Sequence, residues 1–224
     1  MALATGELVS IQAGRIRTME MPEGVRVDFR DGTWTSAIFK AVVAGRVKVA
    51  VPAMEGDEQA DQDNHGGPDN VILAYDADHY PEWRKRLGVA AMEFGSFGEN
   101  FTVRGFTDEQ VCIGDIWEVG DDLMLQITQS RQPCFKLARR LGQPHIVKMV
   151  RESSWGGWYL RVLREGFAEK GMAIRLIERR HPEWTVERAV QTMYARKKEV
   201  AAAQALSELP ELSSRWKQEL LMQD

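Results

Sequence analysis

The residues that could do chemistry cluster around Cys134, one of two cysteines in the chain. It lies in QSRQPCFKLARR, which runs from Gln129 to Arg140. From Gln126 to Arg151 there is no Asp or Glu, although that segment carries six Lys or Arg. The whole chain has a formal net charge of -4, so this basic stretch is a local feature.

The neighbours of Cys134 predict a reactive thiol. Arg131 and Lys136 favour the thiolate, as would a helix beginning just after the cysteine, and the thiolate binds metals and attacks electrophiles. A basic run without carboxylates also suits a phosphate, with a solvated helix face as the simpler alternative. A free cysteine is more often a small buried hydrophobic residue. We expect that role for Cys112, which Val and Ile flank.

Two loops add candidate site residues. In DNHGGPDN, Gly66 and Gly67 let backbone N–H groups approach a ligand and His65 can exchange a proton, although the stretch also fits a plain turn. In FGENF, Glu99 and Asn100 precede a strand, where binding residues often lie. The acidic run MEGDEQAD indicates surface charge or groups that orient basic residues, and it lacks the spacing of a calcium loop.

Composition and missing motifs exclude several classes of protein. The 29 Lys and Arg against 33 Asp and Glu argue against nucleic-acid binding. The sequence shows no apolar run long enough to span a membrane and no secretory signal. We therefore expect the protein in the reducing cytoplasm. The sequence has no dinucleotide fingerprint, P-loop or serine-hydrolase elbow. Two cysteines alone are also too few to hold an iron–sulfur cluster.

The first two thirds of the sequence predict a β-rich fold with a few helices. Short segments rich in β-branched and aromatic residues are bounded by Gly, Asp or Asn, as strands and turns are. Their regular spacing favours a barrel or sandwich. The strand segments are KAVVAGRVKVAVPAM, NVILAYD, NFTVRGF, VCIGDIWEVG and LMLQITQ, and the helical segments are DADHYPEWRKRLG, PCFKLARRLG and GQPHIVKMVRES.

The composition changes after Pro182, where glycine disappears and β-branched residues become rare. A later proline breaks this tail, and a helical pattern restarts with Ser213 or Ser214 as the N-cap. We predict a β-barrel domain over residues 1–181 and a three-helix element over residues 182–224. The residues spaced for one helical face are Val186, Ala189, Val190 and Met193.

Two tryptophans of the tail, Trp184 and Trp216, indicate what its apolar faces do. We expect them to pack against the barrel. A homodimer contact and a docking surface for a partner protein remain the alternatives.

Several motifs, in this order along the chain, resemble the MOSC domain family (molybdenum cofactor sulfurase C-terminal domain): MEGDEQAD, HGGPDN, FGENF, IGDIWEVG and QSRQPCFKL. TWTSAIFKAVVAGRV, GWYLRVLREG and the helical tail resemble its YiiM-like branch. Each motif alone is weak, but the ordered set is specific and covers essentially the whole chain. The resemblance implies a mainly β, α+β fold: a mixed β-barrel with peripheral helices and a small C-terminal three-helix element.

The resemblance also implies a function, reduction of N-hydroxylated small molecules such as hydroxylaminopurine bases, which is a detoxification. The cofactor would be a molybdenum-pyranopterin with Cys134 as metal ligand, and His65 or Glu99 would supply a proton. No flavin, nicotinamide or iron–sulfur site is visible, so we expect an external electron-donor reductase. The residues that the resemblance assigns to cofactor binding are Lys40, Gly66, Gly67, Asn100, Ser130, Arg131 and Lys136.

A second class of function stays open, a carrier of sulfur as a persulfide on Cys134, or of the cofactor itself. A carrier needs the cysteine and an anion pocket but no electron donor. The sequence has no fused pyridoxal-type desulfurase domain, which favours the reductase. Two departures from the family pattern, Phe101 in place of Leu and Met172 in place of Asp, lie outside the cysteine motif.

Overall fold

The computed structural model describes residues 4–20, 32–61 and 66–222. His65, one of the predicted site residues, lies outside these ranges. The described strands are β1 Thr5–Ala13, β2 Arg17–Glu20, β3 Thr33–Ser36, β4 Ala41–Val42, β5 Val47–Val49, β6 Ile72–Asp76, β7 Phe101–Arg104, β8 Ile116–Val119, β9 Leu123–Ser130, β10 Trp158–Arg164, β11 Gly166–Ala168 and β12 Ala173–Glu178. The α-helices are α1 His79–Leu87, α2 Phe135–Leu141, α3 Ile146–Ser153, α4 Val186–Ala195, α5 Val200–Ser207 and α6 Ser214–Leu221.

Seven strands close into a mixed β-barrel in the order β12-β8-β9-β10-β6-β7-β1, and β1 pairs back to β12. The strands β6 and β7 are parallel, and the other neighbours in the barrel are antiparallel. Closure gives each of these strands a partner on both sides, so the barrel proper has no open edge. The barrel and peripheral helices predicted from the sequence are confirmed.

Glycines end two of the peripheral helices where the sequence predicted. Gly88 follows α1 with φ 66°, and Gly142 follows α2 with φ 63°. Both have the left-handed conformation that glycine adopts without a steric penalty. Helices α1, α2 and α3 pack together in a hydrophobic cluster, to which Trp83, Leu137 and Val150 belong. This cluster fixes α2 on the barrel, and with it the cysteine that precedes α2.

The tail packs against the barrel. Trp216 is 1% exposed and belongs to the same hydrophobic cluster as Trp117 and Trp158 of the barrel strands. The N-cap of α6 is Ser213, whose side chain accepts a hydrogen bond from the backbone N of Trp216. The predicted helical face is buried throughout, as is Trp184. In the described ranges, none of the helices is both long and apolar enough to cross a membrane.

We expect Trp216→Ala to lower the free energy of unfolding by about 3–5 kcal/mol, because it leaves a cavity in the core shared by barrel and tail. Urea unfolding would measure the change. Gln218→Ala, on the exposed face of the same helix, should change it by less than about 0.5 kcal/mol. Equal effects of the two substitutions would show that the tail is not packed as described.

Candidate functional site

A cleft at the barrel gathers residues that lie far apart in the sequence. Its walls enclose about 610 Å³ of space, part of it open to solvent. Ala37, Ile38, Leu73 and Phe97 supply an apolar wall. The predicted site residues that line the cleft are Lys40, Asn100, Arg131, Cys134 and Lys136.

Cys134 is the N-cap residue of α2 and is half-buried. Its backbone is extended, with φ −124° and ψ 175°, and its carbonyl accepts a hydrogen bond from the backbone N of Leu137 at 3.0 Å. Leu137 and Ala138 are buried in the helix cluster, so the chain leaving β9 turns here at a fixed point. The thiol is therefore held at the wall of the cleft.

Arg131 has a buried guanidinium nitrogen that no described residue satisfies. The residue is 5% exposed, and its backbone N donates to the carbonyl of Gly157 at 2.9 Å. Its Nη1 has no hydrogen-bond acceptor among the described residues. A buried donor without a partner costs about 1–3 kcal/mol. The side chain is thus suited to an anionic oxygen of a ligand in the cleft.

Other basic residues near Cys134 contribute to packing. The guanidinium of Arg139 lies 5.9 Å from the ring centre of Trp34 and 5.3 Å from that of Phe135. That of Arg140 lies 4.5 Å from the ring centre of Phe39, and burial lowers the pKa of Arg140. The basic run therefore divides into residues that face the cleft and residues that pack on aromatic rings.

The floor of the cleft consists of Lys40 and Asn100, two of the predicted cofactor-binding residues, and Asp57 holds both of them in place. Lys40 Nζ lies 2.5 and 2.6 Å from the two carboxylate oxygens, and Asn100 Nδ2 donates to Oδ2 at 2.8 Å. The backbone N of Gly14 donates to Oδ1 at 2.7 Å. Burial lowers the pKa of Lys40, and the Asp57 carboxylate opposes this effect. The site therefore depends on Asp57, a residue that the sequence marked only as part of the acidic run MEGDEQAD.

Glu99 is fully buried behind the cleft wall. Its carboxylate accepts hydrogen bonds from the backbone N of Gly95 at 2.7 Å, that of Phe97 at 3.2 Å and the Thr102 hydroxyl at 3.0 Å. The Tyr80 hydroxyl donates to it as well. These contacts hold the loop in front of β7, and they do not support the prediction that Glu99 delivers a proton to a substrate.

The remaining predicted residues do not line the described cleft. Ser130 is fully buried, and its hydroxyl donates to the carbonyl of Gly157 at 3.3 Å. The described chain resumes at Gly66, and Gly67, with φ 92°, leads into a short 3-10 turn at Pro68–Asn70.

Tyr159 also lines the cleft. It lies in the motif GWYLRVLREG, but the sequence did not mark it as a site residue. It is on β10, and burial raises its pKa while nearby Arg131 lowers it and Cys134 raises it. Lys136 Nζ lies 3.8 Å from Asp61 Oδ2. Tyr159 and Lys136 are therefore ionisable groups that border the cleft together with the thiol.

The described residues build no metal site around Cys134. In the described part of the chain, no group of three or more His, Cys, Asp or Glu side chains could hold a metal ion. A metal bound at this thiol would need further ligands besides these described side chains.

Three features define the class of this protein: the closed mixed barrel, the cleft lined by a cysteine and the helical tail. Comparison with known families assigns the chain to one of them. The chain belongs to the MOSC domain family, whose model matches residues 61–175. The model described as YiiM-like, 3-alpha helix domain matches residues 184–221, which places the chain in the YiiM-like branch.

Relatives support this assignment. The structure of YiiM from Geobacillus stearothermophilus superposes with a TM-score of 0.79 at 32% identity, covering 96% of this chain and 97% of that one. The uncharacterized protein YflK of Bacillus subtilis is 34% identical over 94% of this chain and 90% of its own length. A protein named Reductase from Gibberella moniliformis is 35% identical over 92% of this chain. The match spans only 35% of that fungal protein.

The two cysteines should react very differently with iodoacetamide in the folded protein. Cys134 lines the cleft, whereas Cys112 is 1% exposed and burial raises its pKa to about 11. Mass spectrometry after brief treatment at pH 8 should find the label on Cys134. Cys134→Ser should abolish this rapid labelling and Cys112→Ser should preserve it. Rapid labelling of Cys112 would contradict the described burial.

The buried pair of Lys40 and Asp57 makes a second test. Asp57→Asn leaves the Lys40 ammonium buried without its counter-charge, so we expect a loss of about 3–5 kcal/mol of unfolding free energy. The double variant Lys40→Met, Asp57→Asn should lose less than the two single variants together. Chemical denaturation at pH 7 would measure all four proteins. Strict additivity would show that the pair is not coupled.

The pH dependence of the Asp57→Asn variant provides a further check on this pair. Because burial holds the pKa of Lys40 below that of the unfolded chain, the unfolded state keeps its proton to higher pH. Relative to the double variant, the single variant should gain stability as the pH rises toward the ordinary pKa of lysine.

Proposed function

We propose that the protein is a molybdenum-cofactor-dependent reductase of N-hydroxylated compounds, including hydroxylaminopurine bases, with Cys134 as the protein ligand of the metal. The observation that carries the proposal is that one cleft contains both a half-buried thiol and Arg131, whose Nη1 lacks an acceptor in the described ranges. A thiolate is a suitable ligand for a soft redox metal, and a guanidinium is a suitable partner for a phosphate.

Besides the thiol, the lining of the cleft fits a pyranopterin cofactor in two respects. Arg131 offers a buried donor for its phosphate. The apolar wall, with Leu73 and Phe97, offers a surface for its fused rings. Lys40, in contrast, is bound to Asp57, so we assign it to holding the floor of the cleft and not to the phosphate.

When bound, the cofactor would supply the two-electron reduction in which an N–OH group, two electrons and two protons give an N–H group and water. The protein's own residues position the reactants. Cys134 would hold the metal end of the cofactor. Lys136 and Tyr159, which border the same space, would donate hydrogen bonds to the hydroxylamine oxygen. The hydrogen bonds to Asp57 fix the positions of Lys40 and Asn100 at the floor of the cleft.

The electrons would come from a separate reductase, which we propose as the redox partner. The fungal relative named Reductase supports this, because about two thirds of its length lies outside the match to this chain. That additional length leaves room for further domains in the fungal protein. A reduced Cys134 thiolate also suits the cytoplasm, where we place the reaction.

Metal analysis after expression in a host that makes the molybdenum cofactor tests the proposal. We expect roughly one molybdenum per wild-type chain, loss of metal or an altered absorption spectrum in Cys134→Ser, and full loading in Cys112→Ser, the matched control. The Arg131→Gln variant should contain at least about tenfold less cofactor than the wild type, because the substitution removes a charge-assisted contact to the phosphate. Loaded wild type should then reduce N-hydroxylated purines when a reductase is added.

Absence of molybdenum from the wild type, in a host where a known molybdoenzyme is loaded, would contradict the proposal. Detection of a persulfide on Cys134 in that same preparation would instead support the sulfur carrier. Equal loading of the Cys134→Ser variant, with an unchanged spectrum, would remove the cysteine from the metal site.

A further inference from the structure

A second cleft also borders Cys134. It encloses about 900 Å³, also partly open to solvent, and shares four lining residues with the first cleft: Asp61, Cys134, Lys136 and Tyr159. These shared residues form the border between the two spaces. A ligand in the second cleft therefore lies beside the thiol without entering the space assigned to the cofactor.

The two clefts differ in chemistry. Where the first has an apolar wall, the second adds Arg151 and Arg215 to the shared Lys136. Asp61 is the carboxylate among its described lining residues, so three cations face one anion there. Four further lining residues suit a heterocyclic base, because they offer two side-chain amides and two rings: Gln129, Gln132, Pro133 and Phe135.

The tail helix α6 brings Arg215 to this cleft, and the barrel fixes α6 in position. The backbone N of Ser213 donates to the carbonyl of Thr128 at 3.1 Å, and the Ser213 hydroxyl donates to Gln129 Oε1. The backbone N of Ser214 donates to Asp69 Oδ2 at 3.0 Å. Asp69 belongs to the motif HGGPDN, so a loop that the sequence marked as a site element orients the helix that carries Arg215.

Both arginines of the second cleft are held in place by tail residues. Arg215 Nε donates to Glu219 Oε1 at 2.6 Å on the same helix. The guanidinium of Arg151 lies 5.4 Å from the ring centre of Tyr194 in α4. Arg215 is also close enough to Tyr159 to lower the pKa of that phenol. The tail thus forms part of the wall of this cleft.

We propose that the second cleft binds the substrate and selects a phosphate on it, so that N-hydroxylated nucleotides are preferred to free bases; this rests on the proposed function of the first cleft. The two guanidinium groups, those of Arg151 and Arg215, can bind one phosphate through several charge-assisted hydrogen bonds. The base then lies against the amides and rings next to Cys134, where the N–OH group must be reduced.

Calorimetric titration of the full-length protein with adenosine monophosphate and with adenosine tests the inference without catalysis. Wild type should bind the monophosphate at least about tenfold more tightly, and Arg215→Gln should lose that preference while still binding adenosine. Lys217→Gln, which removes the same charge from a different face of α6, should behave like wild type. Circular dichroism would check that each variant folds.

The Arg131→Gln variant separates the two clefts. If the preference for the monophosphate disappears in Arg131→Gln but persists in Arg215→Gln, the phosphate occupies the cofactor cleft and the inference is wrong. Equal binding of nucleotide and nucleoside by the wild type would also overturn it. If the wild type nevertheless loads molybdenum, the proposed role of Cys134 as metal ligand stands although this inference fails.

Discussion

The site depends on one buried carboxylate, that of Asp57. A buried charge is stable only when it is paired and hydrogen-bonded, and here Lys40, Asn100 and the backbone N of Gly14 all donate to it. These partners come from the end of β1, the segment before β4 and the loop before β7. One charge interaction therefore joins three separate parts of the chain into the floor of the cleft.

Above this floor the protein separates structural from ligand-directed charges. Lys40 and Glu99 are occupied by internal partners, and Arg139 and Arg140 pack on aromatic rings. Arg131 alone combines near-complete burial with a guanidinium nitrogen that lacks an acceptor in the described chain. An anionic oxygen of a ligand in the cleft would satisfy this nitrogen and offset the cost of burying it.

The three-helix tail has a structural reason to belong to this barrel. Its apolar faces complete the barrel core, and its last helix is held by Ser213 and Asp69 at the border of the second cleft. The same contacts therefore do two things. They stabilise the tail against the barrel, and they place Arg215 at the second cleft. An element of this kind is part of the site as well as of the fold.

The sequence by itself determined the local features: the short strands, the helix ends at Gly88 and Gly142, the apolar face of α4 and the motif around Cys134. These follow from periodicity, glycine conformation and neighbouring charges, which act over a few residues. Only the tertiary structure decided that Asp57 pairs with Lys40, that Glu99 is buried behind the wall and that Arg215 reaches the cleft. Such pairings join residues distant in sequence, and barrel closure and core packing decide which of them meet.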